Sequence, residues 1–138
     1  MSACDLHHHV VRRALEKDGW TITHDPYTLA FGRRRGFVDL GADRPFAAEK
    51  GTRRVAIEVK SFLGESVMAD LEQALGQYLL YRSWMRRTDA VRELLLAVSD
   101  SVYDDVFVDP SAQVLITDYD LSLVSVSLER EEVVRWYP

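Results

Sequence analysis

The sequence predicts an α/β domain built on a central mixed β-sheet with helices on its faces. Three observations carry that expectation. Segments of helical and of alternating periodicity follow in the order helix, three or four strands, helix, strand, helix, strand. Leu94-Leu95-Leu96-Ala97-Val98 is an unbroken apolar run of the kind buried on both faces of a sheet. The chain has 138 residues, 47% of them hydrophobic, which suits one domain over 1–138 with a substantial core and is short for two.

The first helix is expected from about Asp5 to Asp18, because Leu6, Val10, Val11, Ala14 and Leu15 recur at helical spacing. Asp5 is a candidate N-cap and Gly19 a stop. Trp20 to Phe31 reads as extended, bent at His24-Asp25-Pro26 because Pro26 cannot donate to a ladder. Gly32 to Gly36 reads as an Arg-rich turn, Phe37 to Gly41 as a short strand, and Ala42-Asp43-Arg44-Pro45 as a break. Phe46 to Glu49 and Arg53 to Lys60 form an expected hairpin around Lys50-Gly51-Thr52. A second helix is expected from about Ser66 to Arg86, with an inner stripe of Val67, Leu71, Ala74, Leu75, Tyr78 and Leu79, and with Gly76 closely packed on the sheet. Glu93 to Val98 is the buried strand. Ser101 to Gln113 is helical in part and broken at Pro110. Leu121 to Leu128 alternates as an exposed strand suited to association, and Glu132 to Tyr137 makes a last short strand.

Composition narrows the function classes. Charged residues make up 28% and the formal net charge is -5, so there is no global basic signature for nucleic acid. The clusters Arg12-Arg13, Arg33-Arg34-Arg35, Arg53-Arg54 and Arg86-Arg87 read as solvated faces and loop tips. A single cysteine, Cys4, excludes an internal disulfide and a thiolate zinc cluster. No apolar run is long enough to span a membrane, and the first residues lack the layout of a signal peptide, so the cytoplasm is the expected compartment. His7-His8-His9 fall about 100° apart on a helix and cannot all converge on one ion. They read as surface and boundary residues, two at most facing the sheet, with His9 the candidate to lie next to the active face.

One constellation looks like chemistry. In Val55-Ala56-Ile57-Glu58-Val59-Lys60, the residues Val55, Ile57 and Val59 point to one face of a strand and Ala56, Glu58 and Lys60 to the other. A second apolar run, Phe37-Val38-Asp39-Leu40, carries another acid. An acid on one strand, with an acid and a Lys two apart on the next, suits a divalent metal held beside a phosphodiester. Asp39 and Glu58 supply hard oxygen ligands, the carbonyl of Val59 a further one, and Lys60 orients a water and stabilises developing charge. Glu16 on the first helix is a candidate third acid, competing with a surface pairing to Arg12 or Arg13. Gln73 and Gln77, four apart on one face of the second helix, are candidate hydrogen-bonders to phosphate, base or Lys60. The competing reading of Glu58 and Lys60 is an ordinary exposed ion pair on a half-solvated strand.

Several long strings identify a resemblance. They include Ala14-Leu15-Glu16-Lys17-Asp18-Gly19-Trp20-Thr21-Ile22-Thr23-His24-Asp25-Pro26, Val38-Asp39-Leu40-Gly41-Ala42, Ala47-Ala48-Glu49-Lys50, Ile57-Glu58-Val59-Lys60-Ser61-Phe62-Leu63-Gly64 and Asp70-Leu71-Glu72-Gln73-Ala74-Leu75-Gly76-Gln77-Tyr78. With the closing Val133-Val134-Arg135-Trp136-Tyr137-Pro138 they resemble the XisH family, the fdxN-element excision controlling factors of cyanobacteria, nearly end to end. The resemblance implies a restriction-endonuclease-like fold with an α-β-β-β-α-β core and a PD-(D/E)xK pattern, in which Asp39, Glu58 and Lys60 occupy the motif positions. Val38 stands where that pattern often has proline. Glu16 matches the first-helix acid of part of the superfamily, and the Gln73 to Tyr78 stretch resembles the glutamine-bearing helix of its RecB-like branch. The resemblance further implies Mg²⁺ or Mn²⁺ as cofactor, DNA as partner in programmed excision, and a small XisI-type partner protein. Assembly as a homodimer or hetero-oligomer follows by fold analogy. Two other roles fit the family: a catalytically silent accessory factor supporting a separate recombinase, and a two-gene defence or toxin-like module.

Overall fold

Helix α1 (Ala3–Lys17) leads into strand β1 (Thr21–His24), the strands β2 (Tyr27–Phe31) and β3 (Arg34–Val38), then β4 (Leu40–Pro45) and β5 (Thr52–Val59). Helix α2 (Val67–Thr88) and strand β6 (Arg92–Ser99) follow. A short helix α3 (Asp100–Val102) runs into a π-helical turn, Tyr103–Phe107. Helix α4 (Pro110–Tyr119) and strands β7 (Leu123–Ser127) and β8 (Glu132–Tyr137) complete the chain. This computed structural model describes residues 3–45 and 51–137.

The six-stranded sheet has the order β1-β4-β5-β6-β7-β8. β1, β4 and β5 form an antiparallel meander, β5, β6 and β7 run parallel, and β8 closes the edge antiparallel to β7. A parallel step needs a crossover, which α2 supplies between β5 and β6. β2 and β3 pair separately as a two-stranded ribbon. The mixed sheet flanked by helices is thus the observed architecture.

Two apolar layers hold it. On one face Val10, Val11, Ala14 and Leu15 of α1 pack on Val55, Ile57, Leu95, Ala97, Val124 and Val126. On the other, Leu71, Ala74, Tyr78 and Met85 of α2 pack on Ala56, Leu94, Leu96 and Val98, with Tyr27, Leu29 and Val38 of the ribbon. The alternation of β5 read from the sequence is therefore the real division between layers, and β6 feeds both. It places Ala56, Glu58 and Lys60 on the α2 side.

Local details depart from the sequence reading for physical reasons. α1 starts at Ala3, so Asp5 sits in the first turn, facing the positive helix end, and does not cap it. Gly19 ends it at φ +94°, which favours glycine. The Arg-rich turn shrinks to Gly32 and Arg33, and Arg34 and Arg35 are strand residues. Ala42–Pro45 is no break: it continues β4 against Thr52–Val55. The strand expected over Phe46 to Glu49, and Lys50 of its turn, lie outside the described residues. Val67 is exposed, so the packed stripe of α2 begins at Leu71. Gly76 faces open space, because it lies about 200° around the helix from Ala74. Pro110 starts α4 in place of breaking a helix: Asp109 caps it by accepting the Ser111 N–H, and Pro lacks only an N–H that is free there anyway. β7 is buried throughout, between β6 and β8, and is not the exposed association strand expected. Its serines tolerate burial because Ser125 Oγ meets Tyr137 OH at 3.3 Å and Ser127 Oγ accepts the Arg130 N–H at 3.0 Å. Among the described residues, no helix is long and apolar enough to cross a membrane.

Candidate functional site

The run Phe37 to Gly41 was expected as one strand. It is two, belonging to different sheets, and Asp39 is the corner between them. Val38 enters the α2-side core and Leu40 the α1-side core, both fully buried, so the corner is pinned from both layers. Leu40 pairs with Ile57, which sets Asp39 beside Glu58 at the end of the β4–β5 ladder.

The two acids clamp each other through the backbone. The Asp39 N–H donates to Glu58 Oε1 at 3.2 Å, and the Val59 N–H donates to Asp39 Oδ2 at 2.8 Å. One oxygen of each carboxyl is thereby fixed, leaving Asp39 Oδ1 and Glu58 Oε2 for the site. Lys60 Nζ stands 3.6 Å from Glu58 Oε2, and His8 Nδ1 stands 3.7 Å from Asp39 Oδ1. The Lys60 N–H donates to the Ala97 carbonyl at 2.9 Å, so its backbone extends the parallel pairing and fixes the stem.

Glu58 is only 7% exposed. Its pKa is pushed up from 4.5 to about 8. Burial is the main cause, and a hydrogen bond to Asp39 and the charge of Asp39 add to it. Lys60 and the Asp39 N–H pull the other way without cancelling it. A buried acid beside a second acid, with one ammonium nearby, is an ionic centre short of positive charge.

Two adjoining clefts flank the pair, one reached by Asp39 and the other by Lys60. One of about 130 Å³ is lined by Asp5, His7, His8, Asp39, Val59 and Ser61. The other, of about 400 Å³, shares Val59 and Ser61 and is walled by Lys60, Phe62, Gly64, Asp70 and Gln73. Asp70 Oδ2 accepts the Gly64 N–H at 3.0 Å and ties the loop after β5 to the start of α2.

Asp39, Glu58 and Lys60 are thus brought together, with Gln73 on the cleft wall. Gln77 lies one turn further along α2, half-buried, its Oε1 buried without a hydrogen-bond partner. Glu16 is exposed and 3.9 Å from the Arg12 guanidinium, eight residues or about 12 Å along α1 from His8. The α1 residues that line the acid cleft are Asp5, His7 and His8. The histidine at the acid pair is His8, where the sequence reading offered His9, which is exposed: three successive histidines cannot converge, and the helix turns His8 toward Asp39. Its Nε2 meets Asp25 Oδ1 at 2.7 Å, and Arg12 Nη1 donates to the other Asp25 oxygen. The spacing of His8 and Arg12, four apart and so on one helical face, was the available signal. Among the described residues, no three His, Cys, Asp or Glu side chains form a metal-holding group.

A family model described as XisH protein matches residues 1–134. The fold is similar to the crystal structure of an XisH family protein from Nostoc punctiforme PCC 73102, with a TM-score of 0.89 and 35% identity over 97% of this chain and 100% of that one. It is similar also to the crystal structure of a fdxN element excision controlling factor protein from Anabaena variabilis, with a TM-score of 0.88 and 32% identity over 97% of this chain and 99% of that one. A search of curated proteins returned no match.

Proposed function

This chain belongs to the XisH family, and on that premise we propose that it acts on DNA through a metal-dependent phosphodiester site of the restriction-endonuclease-like PD-(D/E)xK type, in the excision of a DNA element. The observation that carries the reading is the clamped acid pair beside Lys60, with Glu58 buried and Asp39 partly exposed. The core order α1-β1-β4-β5-α2-β6, with the β2–β3 ribbon inserted, supports it as the α-β-β-β-α-β arrangement of that superfamily.

The residues fit a hard divalent cation. Asp39 Oδ1 and Glu58 Oε2 are carboxylate oxygens, already oriented and short of positive charge, and two carboxylates with open positions suit Mg²⁺ or Mn²⁺, which keep several waters. Asp39 and Glu58 would hold the ion, which when bound supplies charge neutralisation at a phosphate and acidifies a water. Lys60 holds its ammonium next to Glu58, where it orients a nucleophile and stabilises charge developing on the phosphorane oxygens. Gln73 presents an amide on the wall of the larger cleft, in reach of phosphate or base. Glu16, considered as a third acid, has no part in this arrangement.

Supercoiled plasmid incubated with Mn²⁺ and purified chain, alone and with an XisI-type partner, tests the proposal. Nicking lost in Asp39→Asn and in Lys60→Ala supports it; no nicking under any condition removes hydrolysis. A second reading then applies: a catalytically silent accessory factor that binds an XisI-type partner and supports a recombinase. Two facts favour keeping it: no third His, Cys, Asp or Glu side chain completes a metal-holding group with the acid pair among the described residues, and the Anabaena relative is described as a controlling factor.

A further inference from the structure

The chain carries its charge unevenly. Residues 27–38 and 74–88 hold six of its 17 Lys and Arg and none of its 22 Asp and Glu, although the whole chain is at -5. The fold joins these two acid-free stretches. Phe31, near the ribbon tip, stacks on Trp84 of α2 with ring centroids 6.4 Å apart. At Gly36 the ribbon lies so close to α2 that a Cβ would sit 2.6 Å from the Tyr81 ring. The tip that carries Arg33, Arg34 and Arg35 is therefore held against the end of α2 that carries Arg87, with Arg34 on the Gly36 face of the ribbon and Arg35 on its outer face.

Six of the other arginines, Arg12, Arg13, Arg44, Arg53, Arg54 and Arg92, each pair with an acid, and Arg82 donates to the Tyr119 and Asp120 carbonyls. Arg33, Arg34, Arg35 and Arg87 have no carboxylate partner among the described residues. The outer face of the ribbon is otherwise small, with Thr28 and Ala30 beside Arg35 and an exposed Phe37. The ribbon also ends at Asp39. Arg34 stands five residues before it, about 17 Å along a strand. Measured along a duplex axis, that is about five base-pair steps of about 3.4 Å.

We infer that the tip of the β2–β3 ribbon, with the adjacent end of α2, is a docking surface for the phosphate backbone of duplex DNA, about 17 Å along the ribbon from the phosphate addressed by Asp39 and Glu58. The inference rests on the phosphodiester reading of that pair for its register, and on charge complementarity for its partner. An acidic protein would meet the same arginines, but DNA also accounts for the placement of the ribbon in line with the acid pair. A two-stranded ribbon is of a size that the major groove admits.

The test is fluorescence anisotropy with a labelled 30-base-pair duplex in EDTA, where no chemistry occurs, over a range of salt concentrations. Arg34→Glu/Arg35→Glu is expected to weaken binding at least tenfold and to flatten the salt slope by roughly 2, at about 0.9 per phosphate contact. Arg130→Glu/Arg135→Glu, on the β7–β8 turn and on β8, makes the same change in net charge and is expected to bind within about twofold of wild type. Arg33→Ala/Arg34→Ala/Arg35→Ala provides a milder second variant, and thermal unfolding followed by circular dichroism verifies the fold of each. Unchanged binding by both ribbon variants overturns the inference, as does equal weakening by the two charge-reversed doubles. No DNA binding by wild type overturns it too and turns the surface toward an acidic protein. The hydrolytic reading fails separately: a wild type that binds DNA through these arginines but never nicks plasmid keeps the surface and loses the chemistry. Nicking with unaffected binding in the ribbon variants keeps the chemistry and loses the surface.

Discussion

Replacing Glu58 by Gln interrogates the acid pair without metal or DNA. The Glu58 carboxyl keeps its proton up to about pH 8 in the folded chain, against an ordinary 4.5. Between those values the folded state binds the proton and the unfolded state has lost it, so wild-type stability falls as pH rises through the window. Below pH 4.5 both states are protonated and the effect vanishes; above pH 8 both are ionised and the destabilisation is complete. At about 1.4 kcal/mol per tenfold change in proton affinity, the interval amounts to on the order of 4–5 kcal/mol. A Gln amide cannot ionise, keeps an oxygen for the Asp39 N–H, and offers its NH₂ to the Asp39 carboxylate. Glu58→Gln is therefore expected to be near wild type in stability at pH 4.5, and more stable by several kcal/mol at pH 8.5. Urea unfolding in EDTA, followed by tryptophan fluorescence at half-unit steps of pH, measures the difference. A difference that stays constant across pH would refute the reasoning, because the carboxyl would then be ionised alike in both states. A difference that grows toward acid would reverse its sign.

Other substitutions separate the remaining parts of the structure. With Mn²⁺ at pH 7.5 the wild-type thermal midpoint is expected to rise, and that of Asp39→Asn or Glu58→Gln to stay put; equal rises in all three would remove the proposed ligands. Tyr27→Phe removes the hydroxyl that donates to Asp89 Oδ2 at 2.8 Å and is expected to cost about 1–2 kcal/mol in denaturant unfolding. Gln77→Leu takes away a buried oxygen with no partner and is expected to be neutral or stabilising by up to about 1 kcal/mol; a drop in plasmid nicking without a loss of stability would instead give Gln77 a role at the DNA. Phe107→Ala empties a fully buried position and is expected to cost about 3–5 kcal/mol. Because Phe107 meets Phe62 edge-on at 5.6 Å, it should also loosen the wall of the larger cleft, read as faster amide exchange over 61–64.

Much of the fold was legible because its signals are short-range. The period-2 pattern of Val55 to Lys60 assigns each side chain to a layer, and the unbroken run Leu94 to Val98 announces a strand covered on both sides. Reading failed where a residue has two local meanings. Pro110 breaks a helix or starts one, and only the Asp109 cap decides. The serines of β7 look like a solvent face until Tyr137 and the Arg130 N–H arrive to satisfy them.

The candidate site divides the same way. That Glu58 and Lys60 share a strand face with Ala56, and that Asp39 sits in an apolar run, follows from the sequence alone, because side-chain direction along a strand is set by backbone geometry. That Asp39 is a corner between two sheets, clamped to Glu58 by two backbone N–H groups and faced by His8 and not by Glu16, was decided only in three dimensions. Such contacts join α1, β4 and β5 across 19 to 31 residues of chain, and neither periodicity nor composition carries information over that distance. The packing of α1 on one face of the sheet, and of the ribbon and α2 on the other, supplies it.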